Sequence, residues 1–376
     1  MPLPPGSLLE LTPQGLYCPP AAAWIDPWRP VPRALISHAH ADHARPGCGE
    51  YWAIGSSEGI LRQRLGAAIR LIPLEYGQLH RIGDARVSFH SAGHVLGSAQ
   101  IRLEAGGESW LVSGDYKRCA DPSCAPFEPV GADVFITEAT FGLPIYRWRD
   151  GAAVAAEILA WWQGAPEQTS ILFCYAFGKA QRVLAELAAL GVGQPGQPGA
   201  EGREILLHGA VQALMEPYRQ AGVVLPPARP VSELPRGESL AGRLVIAPPA
   251  AQGSPWMRRF KQPQTAFVSG WMAVRGARRR RGTERGFVLS DHADWPGLLQ
   301  SVRQSGARQV YVTHGNSDGL ARYLREVEAI SAEPLEGDFN AQRGDERLDG
   351  EEPAAQPAAT LSKDGEGARA SVTGAS

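Results

Sequence analysis

Two textures of hydrophobic patterning divide the chain. From about residue 8 to 140, short apolar runs alternate with Gly, Pro and Asp turns: RALIS (33–37), AIRLIPL (68–74), ARVSFHSA (85–92), SAQIRLEA (98–105), SWLVSGD (109–115) and ADVFITEA (132–139). Short apolar runs bounded by turn formers predict strands, and few helical periods interrupt them, so this part is expected to be mainly sheet. After about residue 150 the pattern changes. SILFCYAF (170–177) is a buried-strand run followed by KAQRVLAELAAL (179–190), whose apolar positions recur at helical spacing, and EILLHG then AVQALMEPYRQAG repeats the pair at 204–222. Further strands at RLVIA (243–247) and TAFVS (265–269) complete what the alternation predicts to be a small parallel α/β unit. GFVLSDHAD (286–294) and ARQVYVTHG (307–315) then return to strand texture, each running into a helix.

Composition bounds this picture. At 376 residues, with 44% hydrophobic and 20% charged positions, the chain reads as globular and large enough for one big domain or two smaller ones. No basic, apolar leader opens it and no apolar run approaches a membrane span, so a cytoplasmic location without membrane association is expected. Five cysteines, none paired as CxxC, suggest neither a disulfide framework nor a thiolate zinc knuckle. A net charge of -2 excludes a uniformly basic surface, so any site for a polyanion must be local. GVGQPGQPGAEG (191–202) has the composition of a surface loop, and residues 341–376 carry too little apolar content to offset the entropy of ordering them. That segment is expected to be a disordered tail.

The chemistry concentrates in SHAHADHA (37–44), which sets His38, His40, Asp42 and His43 within six positions. His38 and His40 are two apart at the end of an apolar run, so in extended backbone both rings would project to one side and grip one ion. Asp42 and His43 fall in the following turn, where they could serve a second. Neutral imidazole and carboxylate are ligands that zinc prefers. Three further strand ends offer candidates: His94 in the Gly-flanked AGHVLG, Asp115 in SGD, and His314 in THG. Each alone reads more readily as a turn residue than as a ligand; together with 37–44 they read as a ligand set. Asp115, with two oxygens, is able to bridge two cations.

HxHxDH followed by AGH and SGD resembles the metallo-β-lactamase superfamily, and IDPW places Asp26 at the match to its first motif. ITEATFG with Glu138, SDHAD with His292 and THG with His314 are similar to the three extra motifs of the β-CASP nucleases. The wider phrasing, from LYCP through YAFGKAQR, most resembles bacterial ligase-associated DNA exonucleases, a group also labelled as mRNA 3′-end processing factors; the resemblance runs from about residue 8 to 340.

The resemblance implies a fold and a site. The fold would be α/β: a metallo-β-lactamase αββα sandwich (1–148 and 285–340) interrupted by an inserted β-CASP α/β domain (149–284), with the tail at 341–376. Residues 26–140 and 287–315 can line one metal site only if the stretch between them loops out and caps it. Two Zn2+ ions, with Mn2+ as an alternative, would be held by His38, His40, His94 and Asp115 on one side and by Asp42, His43, Asp115 and His314 on the other. Asp26 would orient the 37–44 loop, Asp42 would belong to the catalytic set, His292 would be the general acid, and Glu138 would orient it.

Substrate contacts are expected from VRGARRRRGTER, with Arg275, Arg278, Arg279, Arg280, Arg281 and Arg285 near the cleft mouth, since arginine forks suit phosphate oxygens. Ser269 in FVSGW and Lys179 at a Gly-Lys helix start could add a backbone N–H and an ammonium. His80 and His90 read as structural. His208, in a context that imitates His314, reads as either cleft-facing or plain packing. The expected activity is that of a metal-dependent exonuclease in DNA repair, with DNA favoured over RNA and a DNA ligase or helicase as partner by resemblance. His314 keeps an RNA-processing nuclease open, because a histidine there typifies the RNA-acting branch. A small-molecule hydrolase of the lactamase kind is the third reading, and it would need neither the insert nor the Glu138, His292 and His314 set.

Overall fold

The computed structural model describes residues 3–194, 204–235, 237–274, 276, 282 and 284–337. Arg275, Arg278, Arg279, Arg280 and Arg281, and the expected tail, lie outside the described residues.

In chain order, β1 (Glu10–Thr12), β2 (Gly15–Cys18), β3 (Ala23–Ile25), β4 (Arg33–Leu35), β5 (Glu50–Ile54) and β6 (Leu71–Leu74) form a first sheet of six strands, with α1 (Glu58–Leu65) before its last strand. Then β7 (Leu79–Ile82), β8 (Ala85–Ser91), β9 (Ala99–Ala105) and β10 (Glu108–Val112) make an antiparallel meander, and β11 (Val134–Glu138) lies parallel to β10. A third sheet begins after α2 (Gly151–Gln163). It holds β12 (Ser170–Phe173), β13 (Ile205–Leu207), β14 (Ala228–Pro230), β15 (Leu244–Ala247), β16 (Gln264–Val268) and β17 (Arg285–Phe287), in spatial order β14-β13-β15-β12-β16-β17, all parallel. Its helices are α3 (Lys179–Ala189), α4 (Gly209–Gln212) and α5 (Met215–Gln220). The chain returns through α6 (Trp295–Ser305) to β18 (Gln309–Thr313), then α7 (Ser317–Glu326) and β19 (Ser331–Pro334), which complete the seven-stranded second sheet in the order β19-β18-β11-β10-β9-β8-β7.

Period-two patterning decides the layers. In β4, Leu35 points into a core shared with Ile101, Leu103 and Ile136 of the second sheet, while Ala34 points to the opposite side. The first two sheets therefore pack face to face. The outer face of the second sheet, through Leu111, Phe135 and Val310, is covered by Leu298 and Val302 of α6 and Leu320 and Leu324 of α7. The outer face of the first sheet joins α1, α2, α3 and one face of the third sheet in a single apolar cluster, in which Tyr51 and Ile60 share a core with Ile158, Leu184 and Leu172. Every residue of β12 is buried, as a parallel strand covered on both faces requires.

Local signals set the helix ends. The Asp150 carboxylate caps α2 by accepting from Ala152 N at 2.7 Å, and Asp294 caps α6 by accepting from Gly297 N at 2.9 Å. α6 stops at Gly306, whose φ of +63° suits the left-handed turn at a helix end. Three expectations shift. The run at 33–37 stays in strand only to Leu35, and β17 pairs with β16 in the third sheet, so that sheet reaches Phe287 rather than closing at 284. Two short helices, α4 and α5, stand where one was predicted; Pro217, in the first turn of α5, has no N–H to bond back to Ala213 across the break.

Candidate metal centre

The loops that follow β4, β8, β10, β11, β17 and β18 converge at one end of the first two sheets. His38 and His40 lie past the end of β4, in a loop rather than the extended backbone expected of them, yet their rings meet edge to face with centroids 4.8 Å apart. His38 Nε2 is 3.0 Å from His40 Nδ1, and His94 Nε2 is 3.1 Å from the same atom. Asp115 Oδ2 lies 3.7 Å from His38 Nε2 and 3.9 Å from His94 Nε2. These four buried side chains each offer a ligand atom within 4.8 Å of the others.

Hydrogen bonds behind the rings fix the tautomers. His94 Nδ1 is 2.7 Å from the carbonyl of Asp291, which can only accept, so Nδ1 carries the proton and Nε2 turns a lone pair inward. Ser37 Oγ donates to Asp26 Oδ2 at 2.5 Å and so accepts from His38 Nδ1 at 3.0 Å, which frees His38 Nε2 in the same way. Two lone pairs thus face His40 Nδ1, which as a donor could satisfy one of them. A cation satisfies both, and the buried Oδ1 of Asp115, which has no hydrogen-bond partner, fits the same need. The donor set suits a divalent metal.

A second group gathers beside the first. His43 Nε2 stands 3.5 Å from Asp115 Oδ2 and 3.7 Å from Asp42 Oδ2, and its ring stacks with that of His314 at 5.6 Å. Asp26 holds it from behind: Oδ2 accepts from His43 Nδ1 at 2.8 Å, while Oδ1 accepts from Ser37 N at 2.7 Å. Asp26 and His314 adopt positive φ, +43° and +54°, a strained choice for residues with a Cβ and one that persists where surrounding structure over-determines it. Gly315 beside His314 admits no side chain, because a Cβ would stand 2.2 Å from the Ala139 carbonyl.

Burial and charge separate the histidines. Burial, reinforced by neighbouring His43 and His40, holds His38 well below its ordinary pKa, and burial with His292 and His40 does the same to His94. Both are therefore neutral, as ligands must be. Burial also opposes a charge on His43, but Asp115, Asp42 and Asp26 outweigh it and raise that pKa well above the usual value, so a cation bound there would have to displace the Nε2 proton. Against its own burial, Asp115 is held well below the carboxylate range by His43 and His292. His314 is lowered by burial.

Glu138, at the end of β11, accepts from Tyr116 N at 2.9 Å and places both oxygens 2.9 Å from His292 Nδ1. Asp115, Glu138 and His292 form a second compact group, and the His292 ring lies 4.7 Å from that of His94. Trp148 donates from its indole to the His292 carbonyl at 2.8 Å.

Two expected substrate contacts are placed elsewhere. Lys179 is only 1% exposed and sets its ammonium 2.9 Å from Asp291 Oδ2, so it faces a buried carboxylate. Ser269 is wholly buried and caps the following turn by accepting from Trp271 N at 3.3 Å. Arg285 is exposed and sits over the Phe287 ring at 4.8 Å. His208 caps α4 through Nδ1 and meets Trp256 at 5.0 Å, a structural placement, and His90 bonds to Ser88 and Glu128. Sequence reading passed over Ser37, Phe177, whose ring lies 4.8 Å from His40, and Asp291, although Asp291 stands inside the quoted SDHAD.

Comparison with known proteins adds to this geometry. A protein of Opitutus terrae named as a probable DNA ligase is 33% identical over 316 residues, covering 83% of this chain and 30% of that protein. A ribonuclease of Thermus thermophilus is 29% identical over 163 residues, covering 36% of this chain and 38% of its own length. The endoribonuclease ysh1 of Aspergillus fumigatus matches 73 residues at 38% identity, 19% of this chain and 8% of its own. The chain belongs to the β-CASP metallo-β-lactamase family. This β-CASP chain thus spans about a third of the length of the Opitutus protein it matches. No family model matches it. A crystal structure of an Enterococcus faecalis protein of unknown function superposes on the β-CASP chain with a TM-score of 0.54 at 11% identity, covering 82% of this chain and 79% of that one, a likeness of fold alone. Among the described residues of the β-CASP chain, no helix is long and apolar enough to cross a membrane.

Proposed function

We propose that this chain hydrolyses phosphodiester bonds of nucleic acid at a two-zinc centre and acts as an exonuclease on DNA. The observation that carries the reading is the convergence of His38, His40, His94 and Asp115 beside the Glu138–His292 pair. The two facing sheets would be the metallo-β-lactamase sandwich, and the third sheet the inserted β-CASP domain, with the return boundary after Phe287 rather than at 284. One cation would be held by His38, His40, His94 and Asp115, and the other by Asp42, His43, Asp115 and His314. When bound, the cations supply Lewis acidity toward water and toward the phosphodiester oxygens.

The protein's own groups do the rest. Asp26 and the Asp291 carbonyl hold ring protons so that Nε2 of His43 and of His94 faces inward. The Glu138 carboxylate fixes the plane and tautomer of His292, and His292 gives its proton to the leaving oxygen. In this reading Asp42 completes the second ligand set. The arginines at 275 and 278–281 are proposed to steer the phosphate backbone toward the centre.

DNA is favoured because the relative matching most of this chain is named a DNA ligase, which also makes a ligase, with a helicase as the alternative, the proposed partner. One observation favours RNA instead: His314 stands stacked against His43, and ribonucleases are among the relatives. Digestion of matched 5′- and 3′-labelled single-stranded DNA and RNA, with zinc or manganese supplied and with Asp42→Ala in parallel, separates them. Metal-dependent shortening of DNA with RNA spared is expected, and the label lost first gives the polarity. Preferential cleavage of RNA would overturn the DNA reading, and absence of cleavage of either would sink the nuclease.

A further inference from the structure

Six charged side chains outside the ligand sets are buried together beside the His94 turn. Lys117 and Asp121 come from the segment after β10, Lys179, Arg182 and Glu186 from α3, and Asp291 from the position before His292. Three are cations and three are carboxylates. Lys117 bonds Asp121; Arg182 Nε stands 3.3 Å from Asp121 Oδ2 and 3.7 Å from Glu186 Oε1; Arg182 Nη1 stands 3.0 Å from Asp291 Oδ1, and Lys179 Nζ 2.9 Å from Asp291 Oδ2.

Burying charges this deeply costs desolvation, and apolar residues of similar size often serve stability as well or better. Stability by itself therefore gives little reason for the cluster, and its position gives a better one. α3 presses directly on the His94 turn: a Cβ on Gly178, just before Lys179, would stand 2.5 Å from Val95. From α3, Arg182 Nη1 donates to the Ser290 carbonyl at 2.5 Å, and Lys179 and Arg182 together occupy both carboxylate oxygens of Asp291. That clamped backbone carries the two features the centre needs. The Asp291 carbonyl accepts the His94 Nδ1 proton at 2.7 Å, and the next residue, His292, is anchored through its N–H to Ser290 Oγ at 3.1 Å and through its ring to Glu138.

We propose that Lys179 and Arg182 are positioning residues of the metal centre: through Asp291 they hold the acceptor that sets the His94 tautomer and the backbone that aims His292. Their ion pairs run to Asp291, Asp121 and Glu186, and Arg182 also reaches the Ser290 carbonyl. The proposal rests on the metal-centre reading above, while two of its three readouts do not depend on nuclease activity. It also gives Lys179 a role different from the phosphate contact that a Gly-Lys helix start suggests.

The test is Lys179→Met in the full chain, with Lys179→Arg as the conservative variant. In metal-free protein with 15N-labelled histidine, the His94 Nδ1 proton is expected to be sharp in the wild type and shifted or exchange-broadened in Lys179→Met. Zinc affinity, read by competition with a chelating dye, is expected to fall by about tenfold or more. On single-stranded oligonucleotide, kcat is expected to fall to a similar degree with KM within about twofold, and Lys179→Arg to recover part of each loss. Should Lys179→Met fail to fold, the charge-balanced Lys179→Met/Asp291→Asn variant replaces it, and weakened zinc binding is expected there too. A lowered melting temperature with the His94 signal and zinc affinity unchanged in the folded variant would overturn the proposal and leave the cluster structural. If the wild type cleaves no nucleic acid while the His94 signal and zinc affinity still depend on Lys179, the nuclease reading fails and the positioning role stands.

Discussion

Single side chains here are legible by chemistry but not by partner. The spacing of His38, His40, Asp42 and His43 is dense enough to announce ligands, and the structure brings His38, His40 and His43 within reach of Asp115. Lys179 shows the opposite case. Its neighbours in sequence suggest an anion at a helix start, whereas its actual anion, Asp291, is more than a hundred residues away in the chain. Asp42→Ala and Asp115→Ala are each expected to abolish cleavage while far-ultraviolet circular dichroism stays unchanged; activity retained in both would exclude the two-metal centre. His292→Ala should cut kcat by about a hundredfold or more with metal content unchanged by elemental analysis, as the proposed general-acid role requires. Asp121 supplies a pH signature. Burial opposes its charge, but Lys117, Arg182 and Ser123 outweigh that and hold its pKa below the usual value. A depressed carboxylate pKa stabilises the fold above the unfolded value, about 3.9, and that contribution is lost as pH falls through the folded value. In urea unfolding, the stability gap between wild type and Asp121→Asn is therefore expected to be full at neutral pH and to narrow below about pH 4.

At the scale of elements, periodicity found most of the structure because burial on a sheet or a helix face imposes it. The strand runs at 85–92 and 98–105 and the helix at 179–190 appear within a residue or two of their expected bounds. β1, β2, β3, β7, β14 and β19 were passed over, since strands of three or four residues leave too little alternation to register, and so was the five-residue β5. The SHAHADHA loop was expected to continue a strand, and it does not, because Asp26 draws Ser37 and His43 into side-chain hydrogen bonds immediately past β4. Gly178 makes the element-scale prediction. Its φ is +84° and its missing Cβ admits Val95, so Gly178→Ala forces strain and overlap together. A loss of about 1–3 kcal/mol in denaturant unfolding is expected, with zinc affinity reduced because α3 is displaced from the His94 turn. An unchanged stability would mean that α3 is not pressed against that turn.

For the whole molecule, the third sheet shares an apolar core with the first sheet, α1 and α3, and α3 reaches into the site through Lys179 and Arg182. The centre is therefore built by segments from 26 to 314 and held by an element from between them. Because the ligands converge only in the folded chain, metal binding should stabilise the fold by mass action, by about 2.7 kcal/mol at a free metal concentration a hundredfold above Kd. Chelation is expected to lower the melting temperature and added zinc to restore it, whereas Asp115→Ala should respond to neither.

By itself the sequence determined which residue types were present to do chemistry, the rhythm of strands and helices, and the ligand spacing at 38–43, because these depend on neighbours along the chain. Only the tertiary structure decided which histidine nitrogen faces inward, that Asp291 serves His94 with its carbonyl and α3 with its carboxylate, and that Lys179 is a buried ion-pair partner. The physical reason is range: a period of two or 3.6 residues is written locally, whereas a hydrogen bond or a buried ion pair is chosen by whichever distant group the packed layers bring to it.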